Sequence, residues 1–436
     1  MLARENAYNQ ELFQMHGLDE VGPEAIAEAL ERYLSEYEES FSNPSQIRYF
    51  KTFEKGLLSN LDRKTIEPIA LALLEEKDVR GFQQFFQRAN FSEEQLLSCY
   101  QTHLAGALGA QDGFLSVDGS DFPKKGTHSV GVARQYCGRL GKTENCQAGV
   151  FLSYATEKGY GLVDRQLYMP KMWFSEEAAR LRGACKVPEE LKFQTKNEIA
   201  LEMIRKAVDS GKLPIKWIGC DAAFGSDHNF LRGLPDSVCY FASVRETELV
   251  FTQRPDMKVP ENKRGRPAKH PRPSIPPVPV KAIASDDAIA WETRTLSIGT
   301  KGPVRALVKC IRCISCGSSV NGSGLEPLED VWLYIRKYED GTVKYFLSNA
   351  PETTPLSTLD QLSTMRWSIE QCFQECKSYL GMTHYETRTW PGWHRHMLLV
   401  MVAHLFTTVL CHLLQKTLFD YAYAQTDDFF CTFPLS

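Results

Sequence analysis

Apolar residues recur every three or four positions in four early blocks: Gln46–Leu58, Arg63–Glu75, Val79–Arg88 and Ser92–Leu104. That period predicts amphipathic helices. The rhythm then changes. Phe114 to Asp118 is a short apolar run closed by an acid. Gln147–Tyr154 and Gly161–Tyr168 read as two strands joined by a turn at Glu157–Tyr160. Thr195-Lys-Asn-Glu198 is a capping-box pattern, and Ile199, Met203 and Ala207 follow at helical spacing. Ile215 to Asp221 is a second apolar run closed by an acid, and Val238–Val244 reads as a further strand.

Strands are predicted next at Ala290–Ile298, Val304–Ile311, Val331–Tyr338 and Thr342–Ser348, with Asp340-Gly341 as a hairpin turn. A helix follows that Ser357-Thr-Leu-Asp360 can cap and Gly381 can end, carrying Glu370. Met397 to Gln415 is uncharged and long enough to suggest a membrane span. Its place directly after the Glu370 helix favours a buried core helix. The order of three strands, helix, strand and strand is ribonuclease-H-like. The predicted architecture is α/β: a helical block (1–110), a ribonuclease-H-like core in two parts (111–249 and 356–416), a basic linker with a β-rich insertion (250–355), and a tail (417–436).

Composition adds limits rather than identity. The chain has 436 residues, a net charge of −4 and a pI near 6.2, which is not the profile of a purely electrostatic DNA binder. Residues 1–43 hold ten acids and two bases, a net of −8, so the remainder carries +4. Local basic grooves remain possible, and these govern phosphate binding. The early glutamates (Glu24, Glu28, Glu31, Glu36, Glu38, Glu39) form a solvated face or a mask over a DNA site. Thirteen cysteines without a signal-peptide pattern suit a reducing cytoplasm.

Asp118, Asp221 and Glu370 are the candidate catalytic acids. Two carboxylates at strand ends and one on a later helix suit two-metal phosphoryl transfer, in which divalent ions roughly 4 Å apart activate the attacking oxygen and stabilise the leaving one. On the predicted helix Arg366, Glu370, Phe373 and Lys377 share one stripe, beside an apolar stripe of Ile369, Cys372, Cys376 and Leu380. Taken alone, that helix reads equally as a surface with salt bridges at spacing four.

Several ordered segments carry a closer likeness: Val117–Gly126, Ser129–Gly138, Glu144–Gln147, Leu347–Pro351, Arg366–Glu370 and Gly392–His396. Together they resemble the bacterial insertion-sequence transposases of the Asp-Asp-Glu class, in the branch with a β-rich insertion before the catalytic Glu. The resemblance runs from about residue 45 to residue 410. It implies that Asp118, Asp221 and Glu370 hold two Mg²⁺ or Mn²⁺ ions. It implies action on DNA, at terminal repeats and target, by at least a homodimer in the cytoplasm or on the nucleoid, with no membrane role. Lys124, Lys125, Arg134, Arg366 and Lys377 would neutralise phosphates. The family element Tyr-x2-Arg-x3-Glu-x6-Lys falls on Arg366, Glu370 and Lys377, but Ser363 stands where the Tyr is expected. Gly119 follows the first acid where relatives carry another acid, so Asp121 is a possible decoy for Asp118.

Other residues keep two readings. Lys51, Lys55, Arg63, Lys64 and Arg88 make the N-terminal helices candidate readers of DNA ends, or plain structure. Arg264-Gly-Arg266-Pro resembles a minor-groove hook, or is a solvated basic loop. His394 and Arg395 face a phosphate or metal site, or cap the following helix. Asp164 and Asp227 read as surface or turn residues. Cys310, Cys313 and Cys316 form a C-x2-C-x2-C run, yet no nearby residue supplies a fourth ligand for a closed site. Two rival functions stand beside the transposase: an inactive or domesticated DNA-binding copy, and a host nuclease of the same fold.

Overall fold

Where the pattern has a helical period, helices form. They are α1 (Pro23–Ser35), α2 (Pro44–Leu58), α3 (Ile66–Leu73), α4 (Val79–Arg88) and α5 (Glu93–Leu108). Ser92 caps α5, its hydroxyl accepting from Gln95 N at 3.0 Å. Strands β1 (Gly113–Pro123), β2 (Ala133–Cys137), β3 (Lys142–Thr156) and β4 (Gly159–Leu167) follow, then α6 (Ala179–Ala184) and α7 (Lys196–Asp209). The capping box at Thr195 and Glu198 is present with both reciprocal bonds.

After β5 (Ile215–Cys220) come two short helices, α8 (Ala222–Gly225) and α9 (His228–Arg232), and the strands β6 (Cys239–Val244) and β7 (Leu249–Phe251). The inserted region contributes β8 (Met257–Lys258), β9 (Arg272–Pro273), β10 (Val278–Pro279), α10 (Val280–Ala284), β11 (Glu292–Gly299), β12 (Gly302–Ser318), β13 (Leu325–Lys337) and β14 (Val343–Ser348). The chain closes with α11 (Leu356–Met365), α12 (Trp367–Ser378) and α13 (Trp390–Gln425). This computed structural model describes residues 23–74, 78–259, 270–299, 302–318 and 324–425. Arg264 and Arg266, with the rest of the proposed hook, lie outside the described residues, as does the tail beyond Gln425.

The fold is mixed α/β, as expected, and the described residues form two compact units. The first holds the residues up to Gly113, Val117–Pro214 and those from Ser368 on. Here β3 pairs antiparallel with β2 through Lys142–Cys146 and with β4 through Gly149–Thr156. Residues Cys146–Ala155 of β3 are buried continuously, which explains an apolar run without alternation. Helix α13 supplies the core: Met397 to Leu405 are at most 1 % exposed. Its first 22 residues have the length and apolarity of a membrane span, at mean hydropathy 1.3, but 72 % of that window is buried inside the protein, as the core-helix reading expects. The helix runs to Gln425, past the boundary expected at 416.

The N-terminal helices belong to this same unit. An aromatic cluster fills their interior, with Phe53 and Phe86 at 4.6 Å and Phe85 stacked on Phe91 at 5.5 Å. Gly56 of α2 lies so close to Ile69 of α3 that a Cβ would stand 2.5 Å from it.

The second unit holds Phe114–Ser116 and Ile215–Trp367. Its sheet runs β10-β7-β12-β13-β14-β6-β5 and ends on the start of β1. β5 and β6 pair in parallel, and the pairings from β6 out to β10 are antiparallel. Phe114 packs over Gly219 of β5, where a Cβ would sit 2.3 Å from the ring, so the position requires glycine. One core gathers Phe114, Trp217, Phe241, Tyr334, Phe346, Leu359 and Leu362.

Candidate active site

In the first unit, Asp118 does not close its strand as the apolar run suggested. It sits mid-strand in β1, where continuous burial gives way to alternation and the chain runs on to Pro123. Its carboxylate accepts from the Gly119 amide at 2.7 Å. The possible decoy Asp121 has a local task, accepting from Gly138 N at 2.6 Å.

Glu370 is exposed in the first turn of α12, while Ile369, Cys372, Cys376 and Leu380 are buried, as the stripe pattern predicts. Gly381, at φ +66°, lies in the turn that ends the helix. Lys377, two turns after Glu370, is half-buried. Burial and the like charge of Arg139 hold its ammonium below the ordinary lysine range, against the pull of Asp121 and Asp118. Lys377 thus lies within electrostatic reach of Arg139, Asp121 and Asp118. Arg139 was only one of several bases in its loop, and nothing in its spacing singled it out.

In the second unit, Asp221 ends β5 and caps α8, its Oδ1 accepting from Ala223 N at 2.9 Å and Phe224 N at 3.3 Å. Asp227 caps α9 in the same way, at 2.9 Å from Asn229 N, as a turn residue should.

The expected single helix over 357–381 is two, α11 and α12, meeting at Arg366. Asp360 caps neither. It is buried, accepting from Arg294 Nε at 2.8 Å and NH2 at 2.7 Å on one oxygen and from Tyr334 Oη at 2.8 Å on the other. Ser363, in the family's Tyr position, faces the interior. Its hydroxyl donates to Asp360 O at 2.7 Å and accepts from Arg336 NH1 at 3.0 Å. Such back-bonding to the preceding turn bends helices, which accounts for the break.

The candidate phosphate contacts divide. Lys125 and Arg134 are exposed. Lys124 is not: its ammonium lies 3.5 Å over the Tyr385 ring, donates to Tyr385 O, and is pushed down to about 8 by burial. In the N-terminal block Lys51 pairs with Glu38 at 2.6 Å, Lys55 with Glu31, and Arg63 with Glu386. Lys64 is 8 % exposed and bound to carbonyls. Of these five, Arg88 is the one exposed without such an ion pair among the described residues.

His394 and Arg395 are interior residues within the first turns of α13. His394 Nδ1 lies 3.0 Å from Trp390 O, and burial pushes its imidazole down to about 3, so it is neutral. Arg395 donates to Glu93 at 2.9 Å and to Phe85 O and Phe86 O. Asp164 corrects its surface reading: it is 8 % exposed and pairs with Arg165 at 3.3 Å.

The cysteine run lies on β12, where a spacing of three turns successive thiols to opposite faces. Cys310 joins one apolar cluster and Cys316 another. Burial pushes Cys310 and Cys313 up to about 12 and Cys316 to about 11, which disfavours the thiolates that metals bind.

Beneath α12 lies a network that the pattern did not reveal. Glu375 accepts from Tyr160 Oη and Gln371 Nε2, each at 2.7 Å, and meets His404 Nε2 at 2.8 Å. The available signal was a histidine inside the apolar run 397–415.

A profile of the DDE superfamily endonucleases matches residues 36–303, well over half of the chain. The chain belongs to that family. The match takes in Asp118 and Asp221 and stops before Glu370. A relative of this DDE endonuclease, named as probable transposase of insertion sequence element IS701 from Microchaete diplosiphon, is 25 % identical over 223 residues. That alignment covers 51 % of the chain and 55 % of the relative, so the chain spans about half the length of the curated relative it matches. Among solved structures, the piggyBac transposase in a synaptic complex with hairpin DNA aligns with 89 % of the chain and 74 % of its own, at TM-score 0.41 and 9 % identity. The NurA nuclease of Sulfolobus solfataricus aligns at TM-score 0.27 and 9 % identity, over 83 % of the chain and 99 % of its own. Neither likeness is close enough to bear on the chemistry of this DDE endonuclease.

Proposed function

We propose that this DDE endonuclease is a DNA transposase that cleaves the ends of its element and joins them to target DNA, with Asp118, Asp221 and Glu370 as its metal-binding acids. The observation that carries the reading is the family match spanning Asp118 and Asp221, each at the end of an apolar stretch of strand. The IS701 relative supports transposition over a host nuclease.

The donor chemistry fits hard divalent ions. All three side chains offer oxygen. Among the described residues no three His, Cys, Asp or Glu form a ready metal cage. Hard ions such as Mg²⁺ are held through one or two carboxylates, with substrate phosphates completing the shell. When bound, the two ions supply activation of the attacking oxygen and stabilisation of the leaving one.

The protein's own groups position and neutralise. Lys377 carries positive charge within electrostatic reach of Asp118 and Asp121. Lys125 and Arg134 are exposed for backbone contact. Arg366 stands one turn before Glu370. Joining two ends calls for at least a homodimer on DNA, and the setting is the cytoplasm or nucleoid.

The test is a labelled duplex carrying the element's terminal repeat, incubated with Mg²⁺ or Mn²⁺. Nicking at the repeat boundary is expected from the natural chain and not from Asp118→Ala, Asp221→Ala or Glu370→Ala, while each variant still binds the duplex. Cleavage retained in Asp118→Ala would overturn the assignment. Binding without cleavage by the natural chain would favour the inactive copy.

A further inference from the structure

We propose that Lys64 is a positioning residue for the acid-bearing helix α12, its ammonium tying the C-terminal end of α12 to that of α2. The inference rests on the reading of Glu370 given above. Lys64 Nζ donates to Leu57 O, Ser59 O and Tyr379 O, at 2.5, 2.7 and 2.5 Å. The first two carbonyls belong to the end of α2 and the turn after it. The third lies one residue beyond α12. Helix ends leave their last carbonyls without partners and carry partial negative charge. One cation here answers both ends.

The side chain suits the task. Lys64 is 8 % exposed, and burial pushes its ammonium down to about 8, so it stays charged at neutral pH with three N–H donors for three carbonyls. The neighbouring backbone repeats the connection. Lys64 N donates to His384 Nδ1 at 3.1 Å, and Arg63 pairs with Glu386. Gly381, in the turn after α12, has φ +66° and no room for a Cβ, which would stand 2.8 Å from Lys64 Cβ.

Several constraints thus converge on residues 379–386 from the loop after α2. Glu370 lies nine residues before Tyr379, on the helix whose end is held. Loss of the cation frees that end and lets α12 shift. A displacement of 1 Å at a reacting group can cost a hundredfold in rate. The N-terminal helices would then act on catalysis through this lysine, besides any contact they make with DNA.

The experiment compares Lys64→Met, Lys64→Arg and Gly381→Ala with the natural chain. Amide hydrogen exchange is followed over 374–386, with α7 as internal reference, alongside duplex binding and Mn²⁺-dependent nicking. For Lys64→Met and Gly381→Ala we expect exchange over 374–386 to rise at least tenfold while α7 is unchanged. Nicking should fall at least tenfold with duplex affinity within about threefold. Lys64→Arg, which keeps the charge, should restore much of both. Unchanged exchange over 374–386 in Lys64→Met would overturn the proposal. So would a uniform rise that includes α7, since that marks general destabilisation. If the natural chain cuts no terminal repeat, the transposase reading fails, and the exchange comparison still decides whether Lys64 holds α12.

Discussion

Replacing Asp360 by Asn separates two roles for one carboxylate. As a helix cap, Asp and Asn are nearly equivalent, and loss of either to Ala costs about 1 kcal/mol. The structure assigns Asp360 a different role. It is 3 % exposed and accepts two bonds from Arg294 and one from Tyr334, whose own side chain is fully buried. Hydrogen bonds to a charged group contribute about 1.5–3 kcal/mol against about 0.5–1.5 for neutral ones. Asn keeps one oxygen for Arg294, and the Tyr334 hydroxyl can turn to accept from its amide, so only the charge is lost. Because the Arg294 side chain is 27 % exposed, solvent screens part of that charge, and about 1–2 kcal/mol is expected for Asp360→Asn. Asp360→Ala also strands the Tyr334 hydroxyl and leaves Arg294 unpaired, for about 3–4 kcal/mol. The assay is urea unfolding followed by tryptophan fluorescence, with Arg294→Ala and the double variant completing a cycle. A coupling of about 1.5 kcal/mol or more between Asp360 and Arg294 is expected. An Asp360→Asn variant as stable as the natural chain, with coupling below about 0.5 kcal/mol, would refute the buried-pair account and return Asp360 to a cap.

Two further outcomes follow from packing and titration. Gly219→Ala drives a Cβ into the Phe114 ring and should cost about 1–3 kcal/mol of stability, largely recovered when Phe114→Leu is added; thermal unfolding of the three variants checks this. Burial pushes the Glu375 carboxyl up, but its bond to His404, with those from Gln371 and Tyr160, outweighs that and holds it below the usual range. A depressed carboxyl adds stability above its unfolded value, about 4.3, and that stability is lost as pH falls through the folded value. Glu375→Gln should therefore show a shallower loss of stability than the natural chain as pH falls below about 4.3, measured as urea midpoint against pH. Parallel curves would remove Glu375 as an acid-sensitive brace.

Much of the fold was legible because burial leaves a periodic trace. The helices around Phe50, Phe82 and Leu96, and the paired strands at 147–168, follow their rhythm closely. The acids at 118 and 221 stood out because each interrupts an apolar run. What stayed hidden depended on partners far along the chain. Asp360 looked like a cap since its local sequence allows one, whereas Arg294 and Tyr334, which claim it, lie 66 and 26 residues away. Asp164 looked exposed because nothing local shows that its stretch of β4 is buried on both faces, although its arginine is the very next residue. Lys64 read as one of five cations of a candidate DNA-end reader, or plain structure, although three carbonyls enclose it. The short strand β2 escaped notice because only its ends, Ala133 and Cys137, are buried.

The position of Arg395 bears on how such proteins can be taken apart. Arg395 is 8 % exposed on helix α13, its guanidinium over the Phe91 ring at 4.5 Å and donating to Glu93 and the carbonyls of α4. Cutting away the first hundred residues would not release a tidy catalytic fragment. It would lay bare an arginine and a file of leucines and methionines meant for an interior, and the shortened chain should aggregate. Replacing this chain's N-terminal block with a foreign one would meet the same obstacle. The N-terminal helices and α13 are thus halves of one interior, and neither has an apolar face it could show to water alone.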